Sequence, residues 1–165
     1  MTATPASDLL RAEHRLIEAE LDQLLLASKC RSPGMMVELR QAFAALWRLS
    51  QPHFRKEEHV FYVYVRTRLP ELLSQLEEQH EHARELEQHL SELVESIDCA
   101  PDKRQRTELT RLIAELYDVI QHHIVDEEDQ LLRLSDSWLS PEEQASLAVN
   151  MRDLEPSQVR CPQHK

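Results

Sequence analysis

The chain reads as an all-α protein, an up-down-up-down four-helix bundle with a short C-terminal fifth helix. Three observations predict this. Apolar residues recur at steps of three and four along four long segments, the spacing of one face of an α-helix. A single glycine and 5% aromatic residues stand beside 41% hydrophobic and 30% charged residues, which suits helices rather than a β-sandwich or a disordered chain. The breaks between segments are short, and short connections make successive helices antiparallel neighbours.

The first helix is expected from a cap at Ser7 or Asp8 to about Ser28, with Leu10, His14, Ile17, Leu21 and Leu24 on one face. Pro and Gly in the following CRSPG end it. A second helix, from about Met35 to Arg68, carries Leu39, Phe43, Leu46, Ser50, His53, Glu57, Phe61 and Tyr64 in register, which places Tyr64 in the core. Pro52 removes one backbone hydrogen bond and is expected to kink or divide that helix.

Pro70 opens a third helix to about Asp98, with Leu73, Leu76, His80, Ala83, Leu90 and Ile97 near one face. After CAPD a fourth runs from about Asp102 to Leu134, its stripe formed by Leu109, Ile113, Leu116, Ile120, His123, Glu127, Leu131 and Leu134. Ser140-Pro141-Glu142-Glu143 is a capping box with proline in the first helical position and predicts the short fifth helix. Residues 1–154 read as one domain large enough to bury a core, and 155–165 as a polar, frayed tail.

Two stretches interrupt the apolar stripes in the same way. In HFRKEEHVF, His53, Glu57, Glu58 and Phe61 match His123, Glu127, Glu128 and Leu131 of HHIVDEEDQL. An imidazole and a carboxylate four residues apart on a helix point the same way and can serve one metal cluster. His14 and His80 lie singly on the inward faces of the first and third helices. His14 is roughly seven residues and His80 roughly ten from the start of its helix, and the two pairs lie roughly ten from the ends of theirs. At about 1.5 Å per residue all six side chains reach one level of an antiparallel bundle. Left unpaired there, each would cost roughly 1–3 kcal/mol or more, and a cation offsets those costs together. The six are therefore read as a metal site.

Phase separates them from the other histidines. His59, His82, His89 and His122 fall off the stripes, and His164 lies in the tail. Glu58, Glu128 and Asp126 are expected in water, the first two within reach of a ring N–H. The formal charge of −11 argues against nucleic acid and against anionic membrane surfaces. MTATPASD lacks the basic and apolar regions of a signal peptide and no stretch is long enough to span a membrane, so a cytoplasmic home is expected. Cys30, Cys99 and Cys161 show no ligand spacing and are expected as reduced thiols.

One histidine in helix one, HxxxE in helix two, one histidine in helix three and HxxxE in helix four: this order resembles the hemerythrin-like (HHE cation-binding) family, over roughly Asp8 to Leu134. The resemblance implies a non-haem di-iron centre bridged by an oxo or hydroxo group. His14, His53, His80 and His123 would be its terminal nitrogen ligands, and Glu57 and Glu127 its bridges. Oxygen-carrying members have a fifth histidine four residues after the one in helix three, where this chain has Arg84, and they end in HxxxxD. The four-histidine, two-glutamate set looks more like the di-iron domain of bacterial iron–sulfur cluster repair proteins.

The function this implies is handling of O₂, NO or peroxide, or storage and donation of iron under oxidative or nitrosative stress. Zinc or manganese suits the same ligands. A ferritin-like di-iron oxidase or peroxidase is an alternative, though such sites use Glu-x-x-His, the reverse order. An iron- or oxygen-sensing interaction module is another. Without a fifth histidine each iron keeps an exchangeable position, and the protein is expected to oxidise in air rather than carry O₂.

Overall fold

The structure is a computed structural model and describes residues 4–154. Five helices form it, four long and one short, with no strand among the described residues. Helix α1 is Ala6–Lys29. Helix α2 covers residues 35–65 as an α-helical stretch Met35–Lys56, a π-helical turn Glu57–Phe61 and a last turn Tyr62–Val65. Helix α3 is Pro70–Glu95. Helix α4 covers residues 103–138 as Lys103–Asp126, a π-helical turn Glu127–Leu132 and Arg133–Trp138. Helix α5 is Pro141–Asp153, opened by the expected capping box of Ser140 and Glu143.

The starts and stops follow local chemistry, with corrections. Asp102 caps α4 reciprocally with Gln105. Neither Ser7 nor Asp8 caps α1: the helix begins at Ala6 after Pro5, without a side-chain cap. Ser7 is instead buried, its hydroxyl donating to Asp136 at 2.6 Å and its backbone N–H to Gln144 Oε1 at 3.1 Å. Helices α4 and α5 thus fasten the start of α1 in place of a cap. Pro52 does not divide α2, which continues through it to Lys56. The expected tail, with Cys161 and His164, lies outside the described residues.

Two apolar clusters fill the bundle. The larger gathers Ile17, Leu21 and Leu24, Leu39 to Phe54, Ala83 to Val94, and Leu109 to Ile124. The smaller lies towards the other end: Leu10, Phe61, Tyr62, Val65, Leu73, Leu76, Leu131 and Leu132, closed by Leu147, Ala148 and Met151 of α5. Burying each such side chain contributes about 1.5–3 kcal/mol. Between the two, along all four long helices, lies a layer of buried histidines and glutamates.

Tyr64 is not in the core. It is 47% exposed and donates to Glu143 at 2.6 Å, while Tyr62 is fully buried. The π turn is the reason. It takes up one residue more than an α-helical turn, so the inward stripe beyond Glu57 moves on by one, from Tyr64 to Val65, and Tyr62 turns inward beside Phe61. The same happens after Glu127, where Leu132 and Ser135 are buried and Leu134 is only half-buried.

Candidate metal centre

The six side chains singled out by phase converge. His14, His53, His80 and His123 are at most 2% exposed, and Glu57 and Glu127 are fully buried. The ligand atoms fall into two groups, each with all its atoms within 4.8 Å of one another: His14, His53, Glu57 and Glu127 in one, Glu57, His80 and His123 in the other. Glu57 belongs to both and divides its oxygens between them. Its Oε1 lies 2.6 Å from His53 Nε2 and 3.6 Å from His14 Nε2, and its Oε2 lies 2.9 Å from His80 Nε2 and 3.7 Å from His123 Nε2. Glu127 Oε2 is 3.0 Å from His14 Nε2. His80 Nε2 and His123 Nε2 face each other at 3.1 Å.

The opposite ring nitrogens all point outward to fixed acceptors. His14 Nδ1 lies 2.8 Å from Glu128, His53 Nδ1 2.9 Å from Glu13, His80 Nδ1 2.8 Å from Glu58, and His123 Nδ1 3.1 Å from Gln79 Oε1. An ionised carboxylate can only accept, so the first three Nδ1 atoms carry the proton. Gln79 is oriented by Asp126, which accepts from its Nε2 at 2.8 Å and leaves its carbonyl facing His123. A ring that donates from Nδ1 and is otherwise neutral presents its Nε2 lone pair to the centre, the tautomer and orientation that metal-ligating histidines require.

The centre also tests whether a cation fits. His14 Nε2, His53 Nε2 and all four oxygens of Glu57 and Glu127 are buried and complete no hydrogen bond among the described residues, despite their short separations. Donor atoms that crowd one point without bonding one another suit a cation placed among them. Protonation of the cluster follows from the same crowding. Burial works against the charged form of His14, yet Glu127, Glu128 and Glu57 outweigh it and raise its pKa well above the histidine range. Burial likewise opposes the charge of His80, but Glu57 and Glu58 lift it to about 9. Glu57 would be raised by burial and is held well below the carboxylate range by His53, His123 and His14. Protons so held on the imidazoles are what a metal displaces.

Other predictions at the site divide clearly. His59, His82, His89 and His122 are exposed. Glu58 and Glu128 serve ring N–H groups, and Arg84 donates to both oxygens of Glu58 at 2.8 Å. Three participants escaped the sequence reading. Tyr62 has a buried hydroxyl without a hydrogen-bond partner among the described residues, and burial followed by the charges of Glu127 and Glu57 raises its pKa well above the ordinary range. Its ring lies parallel to that of His80, with centroids 5.7 Å apart, while Phe54 stacks on His80 at 4.1 Å. Glu13 and Gln79 are the other two. Their signal was present: each directly precedes a lone histidine, so the chain repeats Glu/Gln-His and His-x-x-x-Glu-Glu twice.

A comparison with curated proteins finds no match. The family model described as Hemerythrin HHE cation binding domain matches residues 6–135, from the first residue of α1 to the buried Ser135 beyond the second π turn. That span holds every side chain of the buried His/Glu layer, and the chain belongs to the hemerythrin HHE cation-binding family.

Proposed function

We propose that the chain is a non-haem di-iron protein that reacts with a small oxidant, O₂, NO or peroxide, under oxidative or nitrosative stress. The observation that carries this is Glu57: one carboxylate offers an oxygen to each of two histidine pairs whose Nε2 lone pairs face inward. Imidazole and carboxylate donors suit iron, with zinc or manganese next. The set of four histidines and two glutamates keeps the likeness to the di-iron domain of iron–sulfur cluster repair proteins.

His14 and His53 would hold one ion and His80 and His123 the other, with Glu57 joining them and Glu127 beside the first pair. A bound iron pair supplies electrons one at a time and open coordination positions for a small ligand. The protein's own part is arrangement. Glu13, Glu58, Glu128 and Gln79 fix the imidazole orientations. Phe54 and Tyr62, both buried, cover the His80 face and exclude water. Tyr62 Oη keeps its proton, because burial and the charges of Glu127 and Glu57 disfavour the phenolate, and would offer a hydrogen bond to a small ligand bound there.

Anaerobic reconstitution with ferrous iron followed by metal analysis tests the reading. Two irons per chain, with near-ultraviolet charge-transfer absorption after oxidation, are expected. A stoichiometry of one zinc per chain, with no such absorption, would overturn it.

A further inference from the structure

The histidines, the two central glutamates and the glutamates after them recur in an internal repeat, and the repeat breaks behind one ring. Residues 13–14 and 79–80 correspond, as do 53–58 and 123–128. Glu128 holds His14 Nδ1, and its counterpart Glu58 holds His80 Nδ1, both at 2.8 Å. Each of these glutamates is in turn paired with an arginine, Arg15 for Glu128 and Arg84 for Glu58. Glu13 holds His53 Nδ1 at 2.9 Å, but its counterpart at His123 is the neutral amide of Gln79, at 3.1 Å. The residues behind them are exchanged in sign: Lys56 pairs with Glu13, whereas Asp126, at the equivalent place, accepts from Gln79.

We infer that Gln79 makes the His80/His123 position the weaker and more exchangeable of two metal positions, an inference that rests on the di-iron reading above. A carboxylate behind an imidazole N–H increases the basicity of the other nitrogen and strengthens its bond to a metal; an amide carbonyl does so less. The His14/His53 position has a carboxylate behind both rings. The His80/His123 position has one carboxylate and one amide, and its group contains only Glu57 where the other also contains Glu127. Both differences act in the same direction. The His80/His123 position fills last and empties first.

The test is anaerobic titration of the metal-free full chain with ferrous iron against a competing chelator. Two equivalents of unequal affinity are expected. Gln79→Glu with Asp126→Lys, which completes the repeat, should tighten the weaker equivalent about 10-fold or more and leave the tighter one in place. Glu13→Gln, which creates the weak arrangement at the other pair, should loosen the tighter equivalent by a similar factor. Circular dichroism of each metal-free variant separates loss of affinity from loss of fold. Two equal equivalents in the unaltered chain, or unequal ones that neither variant shifts, would overturn the inference while the di-iron reading stands. Saturation at a single equivalent would overturn that reading, and the inference with it.

Discussion

His80 and His82 are two residues apart and have opposite fates. The first is buried against Glu57 and Glu58; the second is half-exposed, with Nε2 3.3 Å from Glu115. His80→Ala should cost the chain metal, whereas His82→Ala should retain it, which metal analysis after gel filtration reads directly. This choice was legible because a helix turns about 100° per residue, and two residues carry a side chain to the far face. Glu87 was passed over although phase places it inward: it lies between Ala83 and Leu90 on the α3 stripe and is a fully buried carboxyl group. Burial raises its pKa from 4.5 to about 7 against the hydrogen bonds from Ser50 and Gln51, which approach at 2.7 and 2.6 Å. Between those pH values the folded chain retains a proton that the unfolded chain has lost. The contribution of Glu87 to stability is therefore fullest below 4.5 and is lost as pH rises through about 7. The loss should reach roughly 3 kcal/mol. Glu87→Gln can donate to Ser50 and accept from Gln51, so urea denaturation should find the variant close to the parent at pH 5 and more stable at pH 8.

At the scale of the element, the α-helical period carried the reading as far as the two carboxylates and failed just beyond them. Glu57 and Glu127 each begin a π-helical turn. Such turns occur often at functional sites, and no residue type in EEHVF or EEDQLL announces one. Everything before them fell into register: Leu10 to Leu24, Leu39 to Glu57 and Leu109 to Glu127 are inward as expected. Beyond them Tyr64 and Leu134 were read one residue early. Tyr62→Ala, which empties a buried site in the smaller cluster, should cost about 3–5 kcal/mol. Tyr64→Ala should cost about 1 kcal/mol or less, since it loses one exposed hydrogen bond. Thermal denaturation of the two metal-free variants distinguishes this order from the reverse that an unbroken α-helix would give.

For the molecule as a whole, the apolar clusters at the two ends hold the fold, and the layer between them contains buried polar atoms that a cation would satisfy. The common level of six side chains was legible because helices of similar length, joined by short turns, leave little freedom in where their residues meet. The bracing around the rings was less so, because Glu13 and Gln79 look like ordinary surface residues when one helix is read alone. Metal binding to the folded chain alone should stabilise it by about 2.7 kcal/mol at free metal 100 times Kd. A domain of this size gains roughly 2–4 °C per kcal/mol. Chelation should therefore lower the melting temperature by roughly 5–10 °C, and scanning calorimetry before and after metal removal checks it. No helix among the described residues is long and apolar enough to cross a membrane.

The π turn in α2 also has a genetic consequence. Loss of one codon inside a helix normally rotates all that follows by about 100° and destroys its packing. A turn already holding one residue too many can lose one and close into an ordinary α-helical turn. An in-frame deletion of exposed His59 should therefore leave Glu57 on one side and Tyr62 on the other facing as they do now. Deletion of equally exposed Arg48 should swing His53 and Glu57 away from their partners. If the His59 deletion unfolded the chain while the Arg48 deletion left it folded and loaded with metal, the π turn would not be the spare residue described here. Among relatives of this chain, alignment gaps in α2 should accordingly gather in the four residues after Glu57.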